Sequence, residues 1–146
     1  MSKFISPAAR FLLGLLFLVF GLNGFFHFIP LPAHEGAAGE FMGGLAAAGY
    51  FFPMLKLTEI VVGLALLANR FVPLALVILA PVTVNIVAFH ILEPEGLPMA
   101  IAIVVLQLAV VWHERAAFCP LLTAKSVRPE ATQGANMKAH SSDDRA

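Results

Sequence analysis

The sequence predicts an all-α membrane protein: a four-transmembrane-helix bundle with a short interfacial helix before the second span. Three observations predict it. Of the 146 residues, 60% are hydrophobic and 12% charged, about half the charged fraction of an ordinary soluble domain. The apolar residues come in long blocks, and blocks of roughly 18 or more with few charges cross a bilayer as helices. The basic residues also segregate. Lys3, Arg10, Arg70, Arg115, Lys125 and Arg128 fall on one side of a four-span layout, and Glu35, Glu40, Glu93 and Glu95 on the other. The positive-inside rule then puts both termini in the cytoplasm. A net charge of zero leaves no basic stripe for phosphates, which excludes a nucleic-acid partner.

The first span is expected over residues 8 to 29, up to the Pro/Gly-rich "PLPAHEGAAGE". A cleaved signal peptide is the competing reading of this start. The apolar run exceeds the usual 7–15-residue core of such peptides, and no clear A-x-A-like site closes it, so the span is read as retained. The next apolar stretch, residues 41 to 68, is broken by Pro53. Proline fits a helix's first turn but not its interior. "FMGGLAAAGYFF" therefore reads as an interfacial or re-entrant helix, and the second span covers residues 50 to 68. The short turn "ANRF" makes the second and third spans antiparallel neighbours. The third span covers residues 71 to 92, with a kink expected at Pro81. The fourth covers residues 97 to 113, completing a membrane domain of residues 1 to 115. Residues 116 to 146 turn polar and are expected to be a disordered cytoplasmic tail.

The second span carries an unusual pair, Lys56 and Glu59. A lone charge at a helix centre costs about 2.5–3.5 kcal/mol on insertion scales, while each Leu, Ile or Val returns about 0.3–0.6. The eight such residues after Pro53 return roughly 4 kcal/mol, against about 6 for two unpaired central charges. Three-residue spacing puts both side chains on one face, where they can pair. Gly63 continues that face one turn on, where another helix can approach closely.

Depth groups further polar residues with this pair. With outer boundaries near Pro30, Phe52 and Leu92, Asn23, Glu59 and Asn85 each lie roughly 10 Å below the outer surface. His27, Lys56 and His90 form a shallower layer at about 3–6 Å. Asn23 and His27, four apart, share a helix face. Asn85 and His90, five apart, do not. These six residues are the candidate ligand-binding or proton-relay site. Beside the functional reading stands a structural one: the ion pair fixes helix packing, and the amides are interhelical hydrogen-bonding groups. Gln107 lies deeper and fits the cluster less well; His34 beside Glu35 reads as a solvated loop pair. A metal site of two histidines and a glutamate has no ligand-spacing motif behind it. Cys119 is the single cysteine, so no intramolecular disulfide, CxxC motif or cysteine-built metal site exists.

Three stretches carry a family resemblance: "RFLLGLLFLVFGLNGFFHF", "YFFPMLKLTEIVVGLALLANRFVPLAL" and "APVTVNIVAFHI". Over roughly residues 8 to 122 the chain resembles the DoxX-like family of small bacterial membrane proteins. The resemblance implies a compact four-helix membrane bundle. It also implies a link to membrane redox systems, since the family's name comes from a subunit of a thiosulfate:quinone oxidoreductase. Glu59 maps onto a position associated with the family, and Asn23, Asn85 and His90 do so more loosely. The chain itself has no paired cysteines, haem-ligand motif or nucleotide-binding glycines.

Two function classes follow. One is a subunit of a membrane redox system, with a quinone as the candidate cofactor and Glu59 with the histidines exchanging protons with it. The other is a non-enzymatic module that binds or moves a small amphipathic molecule or lipid through the same pocket. A purely structural bundle is the third reading. Expected partners are the bilayer, a redox partner subunit and a second copy of the chain.

Overall fold

A computed structural model describes residues 2–30 and 33–119. They form six α-helices: α1 (Ser2–Phe26), α2 (Gly36–Ala47), α3 (Phe51–Leu67), α4 (Val72–Leu92), α5 (Leu97–His113) and α6 (Arg115–Phe118). A 3₁₀ turn, Pro94–Gly96, leads into α5, and no strand occurs among the described residues. Among the described residues, three segments are long and apolar enough to cross a membrane: Pro7–Phe26, Val72–Leu92 and Pro94–His113. A fourth exists if α2 and α3, bent by 91° at their junction, count as one span. Alone, α3 has 17 residues, about 25 Å of helix and the lower limit for crossing the hydrocarbon core.

The four long helices form a closed circuit. α1 packs against α3 and α5, and α4 packs against the same two. Leu13, Phe17, Val62, Leu66, Leu76, Leu79 and Val110 fill the shared core. Large apolar side chains such as Leu12, Val61, Leu74, Val84 and Leu108 point outward. An apolar surface on all long helices suits a surrounding of lipid, because every main-chain group inside the helices is already bonded.

Local chemistry sets the helix ends. Pro53 sits in the first turn of α3, where its missing N–H goes unneeded. α3 ends in a Schellman motif. The Asn69 N–H donates to Leu66 O, the Arg70 N–H donates to Ala65 O, and Asn69 takes a left-handed conformation at φ 54°. The guanidinium of Arg10, on α1, also donates to Leu66 O, which ties the start of α1 to the end of α3. This cation at a helix C-terminus is favourable for the helix dipole as well. Arg10, Arg70 and Arg115 thus mark a basic end of the molecule, and Glu35 and Glu93 the opposite, acidic end.

Two expectations need correction. α1 stops at Phe26, short of residue 29, because His27 turns left-handed at φ 51° and Asn23 clamps the chain beyond it. The polar tail does not begin at Ala116. Arg115–Phe118 forms a further helical turn, and Phe118 packs against the core. The rest of the expected tail, with Lys125 and Arg128, lies outside the described residues. α4 runs as one helix through Pro81.

Candidate functional site

The site is built on the antiparallel seam between α1 and α3, where glycines let the backbones meet. A Cβ added at Gly63 would sit 2.7 Å from Leu18 N and 2.8 Å from Gly14 O. One at Gly21 would sit 2.8 Å from Ile60 and 3.1 Å from the Glu59 Cβ. At Gly24 the occupied space is that of the Lys56 stem, which lies directly across the glycine. Gly14, Gly21 and Gly24 therefore form the α1 half of the seam, and Gly63, Glu59 and Lys56 the α3 half.

Lys56 Nζ donates to Glu59 Oε2 at 2.9 Å. The Glu59 side chain is 5% exposed and that of Lys56 23%. The carboxylate is thus sealed in the seam while the ammonium sits between it and the acidic end. Between Arg10 and the end of α1, and from Ile60 to the end of α3, the sequence has no ionisable residue.

Asn23 is buried too, but its hydrogen bonds go to the main chain of Ile29 and not to the pair. Its Nδ2 donates to Ile29 O at 3.1 Å, and its Oδ1 accepts from the Ile29 N–H at 2.6 Å. It clamps the chain leaving α1.

The other three residues stand apart from the pair. His27 is exposed at the end of α1, its N–H donating to Asn23 O. The four-residue spacing from Asn23 holds a shared face only inside a helix, and the helix has ended. Asn85 is exposed too, with its Nδ2 donating back to Pro81 O at 2.9 Å. Depth along an axis leaves direction around it open, and Asn85 points away from Glu59. His90 Nδ1 lies 2.7 Å from Ile86 O, which fixes the ring proton on Nδ1, and its Nε2 edge packs on Gly96.

His90 belongs instead to a cluster at the acidic end. The Phe89 ring is edge-on to those of His34 and His90, and Phe41 of α2 completes the group. His34 Nδ1 faces Glu93 Oε2 directly. Both atoms are shut off from solvent, with no other polar partner among the described residues. His34 is therefore not a solvated partner of Glu35. It ties the α1–α2 loop to the end of α4.

Gln107 sits on the α4–α5 seam. The Thr83 hydroxyl donates to Gln107 Oε1, and Gln107 Nε2 donates to Leu76 O at 3.3 Å. Gln107→Leu should cost about 0.6–1.7 kcal/mol, the range of hydrogen bonds between membrane helices. Thermal unfolding in detergent, with Thr83→Val as the second corner of a double-mutant cycle, measures this. Additive losses would mean the two side chains are uncoupled.

Sequence reasoning missed the seat for Lys56, although glycines at 14 and 21, two helical turns apart, are a readable signal for close helix approach. It had no signal for Thr83 or for the His34–Glu93 contact, because those partners are distant in the chain. No group of three or more metal-ligating side chains occurs among the described residues. Cys119 is exposed. No protein-family model matches the chain, and neither a curated protein nor a solved structure does.

Proposed function

We propose that the chain is a DoxX-like inner-membrane protein with four spans, α3 being the second, and both termini in the cytoplasm. In this reading it is the membrane subunit of a redox system. Glu59 is the proton-exchanging centre, and Lys56 is its link to the outer face. The observation that carries the reading is a carboxylate sealed in an apolar seam with one cationic partner, itself only partly covered. Ionisable groups at such positions are costly, and their usual reward is proton or ligand chemistry. A quinone fits as the cofactor class, since its reduction takes up protons that a carboxyl–ammonium pair can supply. His27, His90 and Asn85 have no part in the centre, and Asn23 serves by holding the end of α1 in place.

Two tests apply. A reporter fused after Ala146 should be active only in its cytoplasmic form. Periplasmic activity would invert the topology. The wild-type protein, extracted in mild detergent, should bring down a redox-active partner subunit together with quinone. Recovery of neither would contradict the redox assignment.

A second reading, a non-enzymatic module for a small amphipathic molecule or lipid, is favoured by an apolar groove between α4 and α5. The groove lies away from Glu59, on another face of the molecule.

A further inference from the structure

The open groove between α4 and α5 has a volume of about 440 Å³ and is walled by Val77, Ala80, Val84, Leu108 and Val111. Its α4 wall runs from Leu76 to Val87, roughly 16 Å of helix. That matches the hydrocarbon depth of one bilayer leaflet, half of about 30 Å. Thr83 and Gln107 form the polar floor. Their hydrogen bonds are already spent, the Thr83 hydroxyl on Gln107 and the Gln107 amide on Leu76 O. An occupant therefore meets walls of methyl groups and gains little polar contact from the floor, which selects an apolar chain over a polar headgroup.

No charged side chain lines the groove itself, and its last lining residue lies toward the basic end. There Phe118, carried on α6, lines the groove. Three residues before it stands Arg115, exposed, with its guanidinium 5.5 Å from the Trp112 ring and donating to Trp112 O. Arg115 makes no ion pair among the described residues, with its neighbour Glu114 included. A tryptophan–arginine pair at the end of a membrane helix is an interfacial anchor, and a cation there favours anionic headgroups.

We infer that this groove holds one acyl chain of an anionic phospholipid, with Arg115 at its phosphate. The inference rests on the second reading above and narrows its ligand to phospholipid; it is independent of the redox proposal. A groove one leaflet long and apolar along its length, with Arg115 one helical turn before its lining residue Phe118, complements that molecule in each part.

Native mass spectrometry of the whole protein in dodecyl maltoside, titrated with phosphatidylglycerol or phosphatidylcholine, tests it. Wild type should retain one phosphatidylglycerol. Ala80→Phe fills the groove and should cut retention about tenfold, since each CH₂ kept from burial counts. Val84→Phe, at an exposed position, provides the same block should Ala80→Phe fail to fold. Arg115→Gln should still retain a lipid but lose about fivefold of its preference for phosphatidylglycerol over phosphatidylcholine. Equal retention by wild type and both filled variants overturns the site. So does a dimer of this chain that Ala80→Phe dissociates, because the occupant is then a second copy. A retained amphipath other than phospholipid, displaced by Ala80→Phe, overturns the phospholipid assignment and leaves the second reading standing. A protein that retains no small molecule of any kind overturns both.

Discussion

Lys56→Met should destabilise the protein by about 3–5 kcal/mol, the cost of leaving one partner of a buried ion pair uncompensated. The effect is asymmetric. Glu59, 5% exposed, cannot reach water from the α1–α3 seam. Lys56, 23% exposed, can extend its ammonium along the stem toward the acidic end. Glu59→Gln should therefore cost less than Lys56→Met. The double change, Lys56→Met with Glu59→Gln, should recover most of the loss. Thermal and denaturant unfolding of the four proteins in one detergent measures this. Equal losses in the single and double variants would mean that the two side chains do not interact.

Gly63→Ala should be the next most damaging change. Its new Cβ would lie 2.7 Å from Leu18 N and 2.8 Å from Gly14 O, both main-chain atoms that cannot rotate aside. α1 and α3 must separate, at about 1–3 kcal/mol for overpacking a tight interface. Separation also loosens the seat of Lys56 over Gly24. The control is Gly43→Ala on α2. A Cβ there meets nothing within 4 Å, and alanine in a helix interior is favoured over glycine by about 0.8–1.0 kcal/mol. Opposite shifts in unfolding temperature are expected for the two. A neutral Gly63→Ala would mean that the seam is not as close as these distances require.

What the sequence made legible was local. The fourth helix, expected over residues 97 to 113, is Leu97–His113, because Glu93, Pro94, Gly96 and Glu114 punctuate it within a few residues. The Lys56–Glu59 contact follows from three-residue spacing on one helix. Depth was read from the sequence too, but a depth is one coordinate of two. Asn85 lies seven residues from its helix's outer boundary, as Glu59 does from its own, yet turns outward to bond Pro81 O. His27 shows a different failure. Its face was inferred from helical rotation, and the helix ends one residue earlier. Thr83 with Gln107, His34 with Glu93 and Arg10 with Leu66 O are contacts between distant segments. No periodicity in a single sequence encodes which outward-facing residue meets which. The bend between α2 and α3 was legible from Pro53 and the small residues before it.

The most direct test of the proposed role separates packing from chemistry. The Lys56→Met/Glu59→Gln double variant removes both charges while keeping the volume of the seam, so it should fold and insert at near wild-type levels. It should then be introduced into cells that lack the native copy, and quinone reduction in their membranes compared with the wild type. A folded double variant with its quinone reduction lost is the predicted result, because Glu59 can no longer exchange a proton. Full activity from that charge-free protein would contradict the account and reduce the pair to a device for packing α1 against α3.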